Sequence, residues 1–301
     1  MSFSGNTKEE ICRQKLDREC CAVAESYGVL LFCHTYAPDG IRITTANPAF
    51  AARLPKLFKK AFGLSFDSLP QESAIGKRSF LITDRTKIAA IYAAFGNDAE
   101  NVLVHHVNFA VLEEDCCRIS FLRGAFLAGG SVTDPEKRYH LELATTHRQV
   151  ERETFTLMQE LGFNPKESSR EGNALLYFKQ SDAIADFLTA IGAPVTGMAV
   201  ITTRVDKEMR NTITRQINCD SANADKTVNA AQEQLTAIRR YASLYGLDSL
   251  PEPLKDAALL RITNPAASLA DLARLSYPAV TKSCLSHRLK KIADLVKEEK
   301  E

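Results

Sequence analysis

The sequence predicts an α+β protein in which a duplicated, two-lobed domain is followed by an all-α helix-turn-helix domain. Two observations carry the first part of that expectation. Blocks of similar sequence recur in the same order about 96 residues apart, and each copy switches between helical and strand-like periodicity. The third observation is a proline-marked break near residue 251, after which three short helical segments fit into the remaining chain. With 301 residues, 45% of them hydrophobic, there is enough apolar material for a sizeable core and for more than one structural unit. The expected division is residues 1–205 for the two-lobed domain, with lobes at about 1–110 and 111–205, residues 206–250 for a connecting segment with a linker helix, and residues 251–301 for the helix-turn-helix domain.

The copies align element by element. CCAVAESYGVLLFCH from Cys20 matches CCRISFLRGAFLAGG from Cys116, pairing both cysteines, Gly28 with Gly124 and Leu31 with Leu127, and each reads as a helix. GIRITTA from Gly40 then resembles YHLELAT from Tyr139, with the alternation of a half-buried strand and Thr45 opposite Thr145. A helix follows in each copy. The first starts at Asn47 and Pro48 as cap and first helical residue and runs through Phe50, Leu54, Leu57, Phe58 and Ala61, with Pro55 a point of kinking or breakage. The second starts near His147 and carries Val150, Phe155, Leu157, Met158 and Leu161. FLITDRTKIAAIYAAFG from Phe80 and LLYFKQSDAIADFLTAIG from Leu175 each close a copy with a strand and a helix.

FLRGAFLAGGSVTDPEKRYHLEL from Phe121 resembles the LAGLIDADG helix of homing endonucleases, aligned over residues 122–130. The resemblance implies two such helices, one per lobe, packed on a pseudo-two-fold axis. Small residues at Gly28, Gly124, Ala125 and Ala128 suit a close approach of two helix backbones. Nuclease chemistry at that axis requires an acid at the penultimate motif position of each helix, because carboxylate oxygens hold the hard divalent cation. Cys33 and Gly129 stand at those positions, a soft thiol and no side chain at all, so they read as degenerate former catalytic positions and no catalytic residue is assigned. Asp39 and Asp134 follow the two helices and offer displaced carboxylates, but APDG and VTDP are turn sequences in which aspartate bonds its own backbone. His105 and His106, in a strand-like apolar run, and His140, read as lying in a strand, have no partner in the sequence that specifies a nucleophile.

Residues 220–245 are free of proline and set Val228, Ala231, Leu235, Ile238, Ala242 and Tyr245 on one face of a helix; Leu250, Pro251 and Pro253 end it. The first helix beyond the break runs over residues 253–262, and Ser268 and Asp271 form a capping pair for the second, which ends near Leu275. Tyr277 and Pro278 make the connection, and Ser283 is expected to cap the third helix. Leu285, Leu289, Ile292 and Val296 fall on one stripe of that helix, so Ser283, Ser286, His287, Lys290 and Lys291 face the other way. This is the layout of a recognition helix: its first residues would reach base edges, while Lys282, Arg288, Lys290 and Lys291 would meet phosphates of double-stranded DNA.

Charge supports the same division. The chain as a whole carries +1, but residues 255–301 carry +3 and the remainder −2, and residues 281–291 hold Lys282, Arg288, Lys290 and Lys291 without an acid. No secretory signal and no membrane-length apolar run is visible, which places the protein in the cytoplasm, with the nucleoid, and away from membranes. Eight cysteines without a C-x-x-C or a neighbouring Cys/His group read as buried thiols; no metal and no cofactor is expected.

The order of FLRGAFLAGGSVTDPEKRYHLE, INCDSANADKTV, LRITNPAASLADLA and KSCLSHRLKKI is similar to that of the WhiA family of sporulation regulators, over nearly the full chain. That resemblance implies a degenerate LAGLIDADG-type domain, a linker, a helix-turn-helix related to the promoter-reading domain of sigma factors, and roles in transcription, sporulation, cell division and chromosome segregation. The expected function is therefore a non-catalytic, DNA-binding transcriptional regulator. The slight acidic excess before residue 255 points to a protein partner for the first domain, such as another transcription factor or a sigma factor. The competing readings are a metal-dependent endonuclease using Asp39 and Asp134, and an adaptor whose helix-turn-helix binds protein.

Overall fold

The computed structural model describes residues 2–70, 76–101 and 103–297. The chain divides into two compact units, Met1–Lys207 and Glu208–Glu301.

The first unit is built from two similar halves. After helix α1 (Phe3–Cys12), the first half runs α2 (Glu19–Leu31), β1 (Thr35–Ala37), β2 (Gly40–Thr45), α3 (Pro48–Phe62), β3 (Arg78–Ile82) and α4 (Arg85–Ala94). The second half runs α5 (Asp115–Gly129), β4 (Gly130–Val132), β5 (Leu141–Thr145), α6 (Arg148–Glu160), β6 (Lys166–Arg170), β7 (Asn173–Phe178) and α7 (Ser181–Ile191). Each half holds an antiparallel sheet, ordered β1-β2-β3 and β4-β5-β7-β6. The strands alternate as a half-covered sheet should: Ile41, Ile43 and Thr45 are buried while Arg42 is exposed, and Leu141, Leu143 and Thr145 are buried between half-exposed neighbours.

The duplication is visible down to single hydrogen bonds. The Thr45 hydroxyl accepts from the Asn47 N–H at 3.0 Å, and the Thr145 hydroxyl accepts from the His147 N–H at 3.2 Å, each closing the turn that feeds the next helix. Asn47 caps α3 through Phe50 N, as its sequence suggests, but α3 runs unbroken through Pro55, where a kink or break was the expectation. Arg53 and Leu54 just before the proline and Leu57 and Phe58 just after it are all buried, so packing holds the helix where the missing proline N–H would loosen it.

The two helices of the repeat, α2 and α5, form the seam between halves. A Cβ placed on Gly124 would lie 2.0 Å from the Glu25 carbonyl oxygen, and one on Gly28 would lie 2.0 Å from that of Phe121. Only glycine at both positions permits this approach. Around it Tyr27, Leu30, Leu31, Phe121, Leu122 and Phe126 are fully buried in one apolar core that extends into both halves.

A charge sits inside that core. Glu25, 1% exposed, accepts two hydrogen bonds from Arg53, from Nε at 2.6 Å to Oε1 and from Nη2 at 2.8 Å to Oε2, and Arg123 Nη1 lies 3.6 Å from the same Oε2. Arg53 also donates to the Cys12 and Gln14 carbonyls, and Arg123 to that of Ile191, so the buried ions are paired and their remaining donors are used.

Helix α8 (Pro194–Tyr245) begins in the first unit and ends in the second. The second unit continues with a short 3-10 turn at Leu247–Ser249, then α9 (Glu252–Thr263), α10 (Leu269–Leu275) and α11 (Lys282–Lys297). Its own core comprises Ile238 and Tyr241 of α8, Leu254, Ala257 and Ala258 of α9, Leu272 and Ala273 of α10, and Leu285, Leu289, Ile292 and Val296 of α11. Of the apolar face read along residues 220–245, Ala231 and Ile238 are buried, while Val228 and Tyr245 remain exposed. Among the described residues, no helix is long and apolar enough to cross a membrane.

Candidate nucleic-acid interface

The second unit is held around one buried cation. Arg261, 1% exposed, donates from Nε to the Gln234 side chain of α8 at 3.0 Å and from Nη1 to the Ala267 carbonyl at 2.6 Å, fixing the turn before α10. Ser268 then caps α10, accepting from Asp271 N at 3.2 Å while its hydroxyl donates to the Asp271 carboxylate at 2.7 Å, as the capping pair in the sequence predicts. In the connection to α11, the Ser276 hydroxyl accepts from Val280 N at 3.1 Å and lies 2.9 Å from the Ala273 carbonyl.

The cap of α11 differs from expectation. Thr281, not Ser283, caps it: the Thr281 hydroxyl accepts from Cys284 N at 3.2 Å, and its carbonyl accepts from Leu285 N. Ser283 is already helical, one residue into the element, because either hydroxyl satisfies the sequence rule and only the turn's trajectory decides between them.

The apolar stripe of α11 is buried as its spacing requires, and the polar residues distribute over three surroundings. Lys282, Ser283, His287, Lys290 and Lys291 are exposed; Ser286 and Arg288 are half-buried. Ser286 and Lys290 line a groove with Glu233 and Arg240 of α8. Lys282 lines a cleft with Lys226 of α8 and Ser268. Arg288 turns to the other flank, beside Glu252, Asp256 and Tyr277. The edge of α11 over residues 282–291 thus carries no acid of its own, although Glu233 and Asp294 share the groove with Lys290, and Arg288 stands apart on the other flank. Lys226 and Arg240 extend that edge. Sequence reading passed over both, although each stands on the polar side of a helix whose apolar side was legible.

In the first unit, the positions where a nuclease would carry its acids do not fit a hard divalent cation. Cys33 donates to the Leu30 carbonyl at 3.1 Å and lies 3.3 Å from that of Thr35, and burial pushes its thiol up to about 12. A Cβ on Gly129 would lie 2.4 Å from the Ala144 carbonyl oxygen, so no larger residue enters there without moving the backbone. Asp134 accepts from Glu136 N at 2.9 Å in its own turn, and Asp39 occupies the turn between β1 and β2. Asp134 therefore does what a turn aspartate does, and Asp39 shares with it a place in a turn.

The outward face of the second sheet carries an acid at its centre. Glu142 accepts from Arg170 at 3.3 Å, lies 3.1 Å from His140 Nε2, and accepts from Ser131 at 3.3 Å. Burial works to raise its carboxyl, but the His140 hydrogen bond and the Arg170 charge outweigh it and hold the group below the usual carboxylate range. Arg170 is consequently a partly neutralised cation.

Two placements read from the sequence are corrected. His105 and His106 lie in an irregular segment that leads to a 3-10 turn at Phe109–Val111, not in a strand, and His140 immediately precedes β5. His105 Nε2 lies 2.7 Å from the Tyr36 carbonyl, its ring stacks on Tyr36, and it meets His147 edge-on with centroids 4.6 Å apart. Burial lowers both imidazoles, His147 to about 4. Nor are the cysteines uniformly buried thiols: Cys20 and Cys219 are exposed, and Cys20, Cys21, Cys116 and Cys117 bring their sulfur atoms within 4.8 Å of one another at the N-terminal ends of α2 and α5. Two adjacent pairs far apart in sequence show no ligand spacing, and only the pseudo-two-fold seam unites them.

Comparison with known proteins gives the same parts in the same order. Residues 118–210 match a family model described as the WhiA LAGLIDADG-like domain, and residues 213–296 match one described as the WhiA C-terminal HTH domain. The chain is 36% identical over 303 residues to the probable cell division protein WhiA of Ruminiclostridium cellulolyticum, covering 98% of this chain and 97% of that one. It is 33% identical over 313 residues to the protein of the same name from Alkaliphilus metalliredigens, covering 100% and 99%. The crystal structure of full-length WhiA from Thermatoga maritima superposes with a TM-score of 0.61 at 23% identity over 99% of each chain, which supports the same fold.

Proposed function

Because the chain belongs to the WhiA family, we propose that it is a transcriptional regulator that reads double-stranded DNA with its C-terminal helix-turn-helix and performs no chemistry on the DNA. The observation that carries this reading is the edge of α11, where Lys282, Ser283, Ser286, His287, Lys290 and Lys291 stand over nearly three turns that carry no acid of their own. Ser283, Ser286 and His287 supply hydrogen-bonding groups of the kind that read base edges, and the three lysines, joined by Lys226 and Arg240, supply phosphate contacts. Arg288 serves at most a flanking phosphate, given its place beside Glu252 and Asp256.

The first unit is proposed to be a non-catalytic body that receives a protein partner, such as another transcription factor or a sigma factor. The absence of side-chain oxygen at Cys33 and Gly129 and the acid Glu142 on an outward sheet face support this. The names of its relatives point to cell division, and the proposed roles extend to sporulation and chromosome segregation, exercised in the cytoplasm at the nucleoid.

The test is fluorescence anisotropy of full-length protein on duplex genomic fragments over a range of salt. The reading predicts that log K falls with log salt at a slope of roughly −2 to −4, and that replacing Lys290 and Lys291 by alanine flattens it by about 2. An unchanged slope would place the DNA reader elsewhere in the chain, and no salt-sensitive binding at all would make the protein an adaptor. Metal-dependent cutting of plasmid that Asp39→Asn or Asp134→Asn abolishes would overturn the non-catalytic part.

A further inference from the structure

The four sulfur atoms at the N-terminal end of the seam are independent of the DNA-reading edge and of the degenerate nuclease positions. Cys20 and Cys21 occupy the first turn of α2, and Cys116 and Cys117 the first turn of α5, whereas Cys33 and Gly129 stand at the other ends of the same two helices. All four Sγ atoms lie within 4.8 Å of one another. Sulfur ligands about 2.3 Å from a tetrahedral zinc ion sit roughly 3.8 Å apart, so closing the group requires a movement of about 1 Å, within the reach of side-chain rotation.

The surroundings divide the thiols: hydrogen bonds with Cys21 and Arg18 hold Cys116 below the ordinary thiol range, whereas burial pushes Cys21 up to about 11 and Cys117 up to about 12, so those two protons leave only as the metal displaces them. Two helix N-termini direct their positive ends at the group, and Arg18 Nη1 lies 3.7 Å from Cys116 Sγ. Cys117 is buried and Cys20 exposed, so the group has a closed side and a side open to entry. A hydrophobic seam needs no thiol at these positions, and a disulfide needs two rather than four.

We propose that Cys20, Cys21, Cys116 and Cys117 form a tetrathiolate site for a soft, tetrahedral divalent cation of the zinc class, which staples the two halves of the first unit at their seam. Binding replaces the thiol protons by the metal and releases them to solvent, with no change of oxidation state. Four thiolates around Zn2+ leave two negative charges, which Arg18 and the two helix dipoles partly offset. The metal would act as a structural ligand, since four protein sulfurs leave no open coordination position.

The test uses full-length protein, reduced and dialysed against chelator under inert gas, then titrated with Co2+. One Co2+ per chain is expected, with a thiolate-to-cobalt charge-transfer band and the visible bands of a tetrahedral site, both bleached by Zn2+. Cys20→Ser with Cys116→Ser should abolish the charge-transfer band, and Cys219→Ser, at an exposed position on α8, should leave it intact. Because the double variant is open to misfolding, its circular dichroism is compared with that of the parent, and exposed Cys20→Ser alone must weaken the band in a folded protein. Zn2+ should also raise the thermal midpoint of the parent and not of the double variant. Cobalt binding without a charge-transfer band, an intact band in folded Cys20→Ser, or a Cys20–Cys117 or Cys21–Cys116 disulfide that forms as readily with Zn2+ present would overturn the proposal.

Discussion

Replacing Gly124 by alanine tests the seam where two ordinary rules oppose each other. Within a helix, alanine is favoured over glycine by about 1 kcal/mol. Against this, the new Cβ would stand 2.0 Å from the Glu25 carbonyl oxygen and 2.9 Å from Val29 N, and both are backbone atoms of a helix that cannot swing aside. Helices α2 and α5 must part by more than an ångström. A radial gap of that size forfeits a quarter to a half of each contact across it, and the buried Tyr27, Leu31, Phe121 and Leu122 line the opening. Overpacking of a rigid core costs about 3 kcal/mol at the upper end of its usual range. The net effect is a destabilisation of about 2 kcal/mol after the helix-propensity gain. In urea, with a slope of about 2 kcal/mol per molar, the midpoint of the first unit falls by about 1 M. Gly28→Ala should behave alike, and the double variant should cost less than the sum, because one parting of the helices serves both methyl groups. A midpoint that stays level or rises in Gly124→Ala would refute the close seam.

Glu25→Gln should destabilise the first unit by about 3–5 kcal/mol, since the Arg53 charge stays buried without its counter-ion, and Glu25→Gln with Arg53→Met should recover much of that loss in the same denaturation assay. Burial holds His147 at about 4 against an ordinary 6.5, so its neutral form is the one the fold accommodates; the associated stability is complete above pH 6.5 and is lost as pH falls towards 4. Thermal midpoints across that window should fall less steeply in His147→Gln, and an equal slope in both proteins would assign the acid sensitivity to other groups.

The parts of this fold that the sequence makes legible are those where one residue answers to a local rule. The repeated glycines at 28 and 124, the threonines at 45 and 145, the Asn47 cap and the Ser268–Asp271 pair each fix geometry within a few residues of themselves. The apolar stripe of α11 is legible for the same reason, because helical period alone chooses Leu285, Leu289, Ile292 and Val296. What escaped depends on the meeting of distant segments. Glu25 and Arg53 are 28 positions apart and look like two surface charges until α2 and α3 pack. The cysteine pairs have no ligand spacing and meet only across the seam. Apolar composition suggested a strand around His105, yet that segment spends its contacts on the Tyr36 and His147 rings instead of a sheet edge. On α11, the run of basic residues placed Arg288 with the phosphate contacts, but it lines a flank with Glu252 and Asp256 of α9 and the connection before α11.

The central claim is that DNA is read by the edge of α11 and not by the sheets of the first unit. Hydrogen–deuterium exchange of the full-length protein, with and without a bound duplex, tests it most directly. The account predicts slowed exchange over residues 276–291, with β2, β3, β5 and β7 unchanged; protection confined to those strands, with α11 indifferent to DNA, would contradict it.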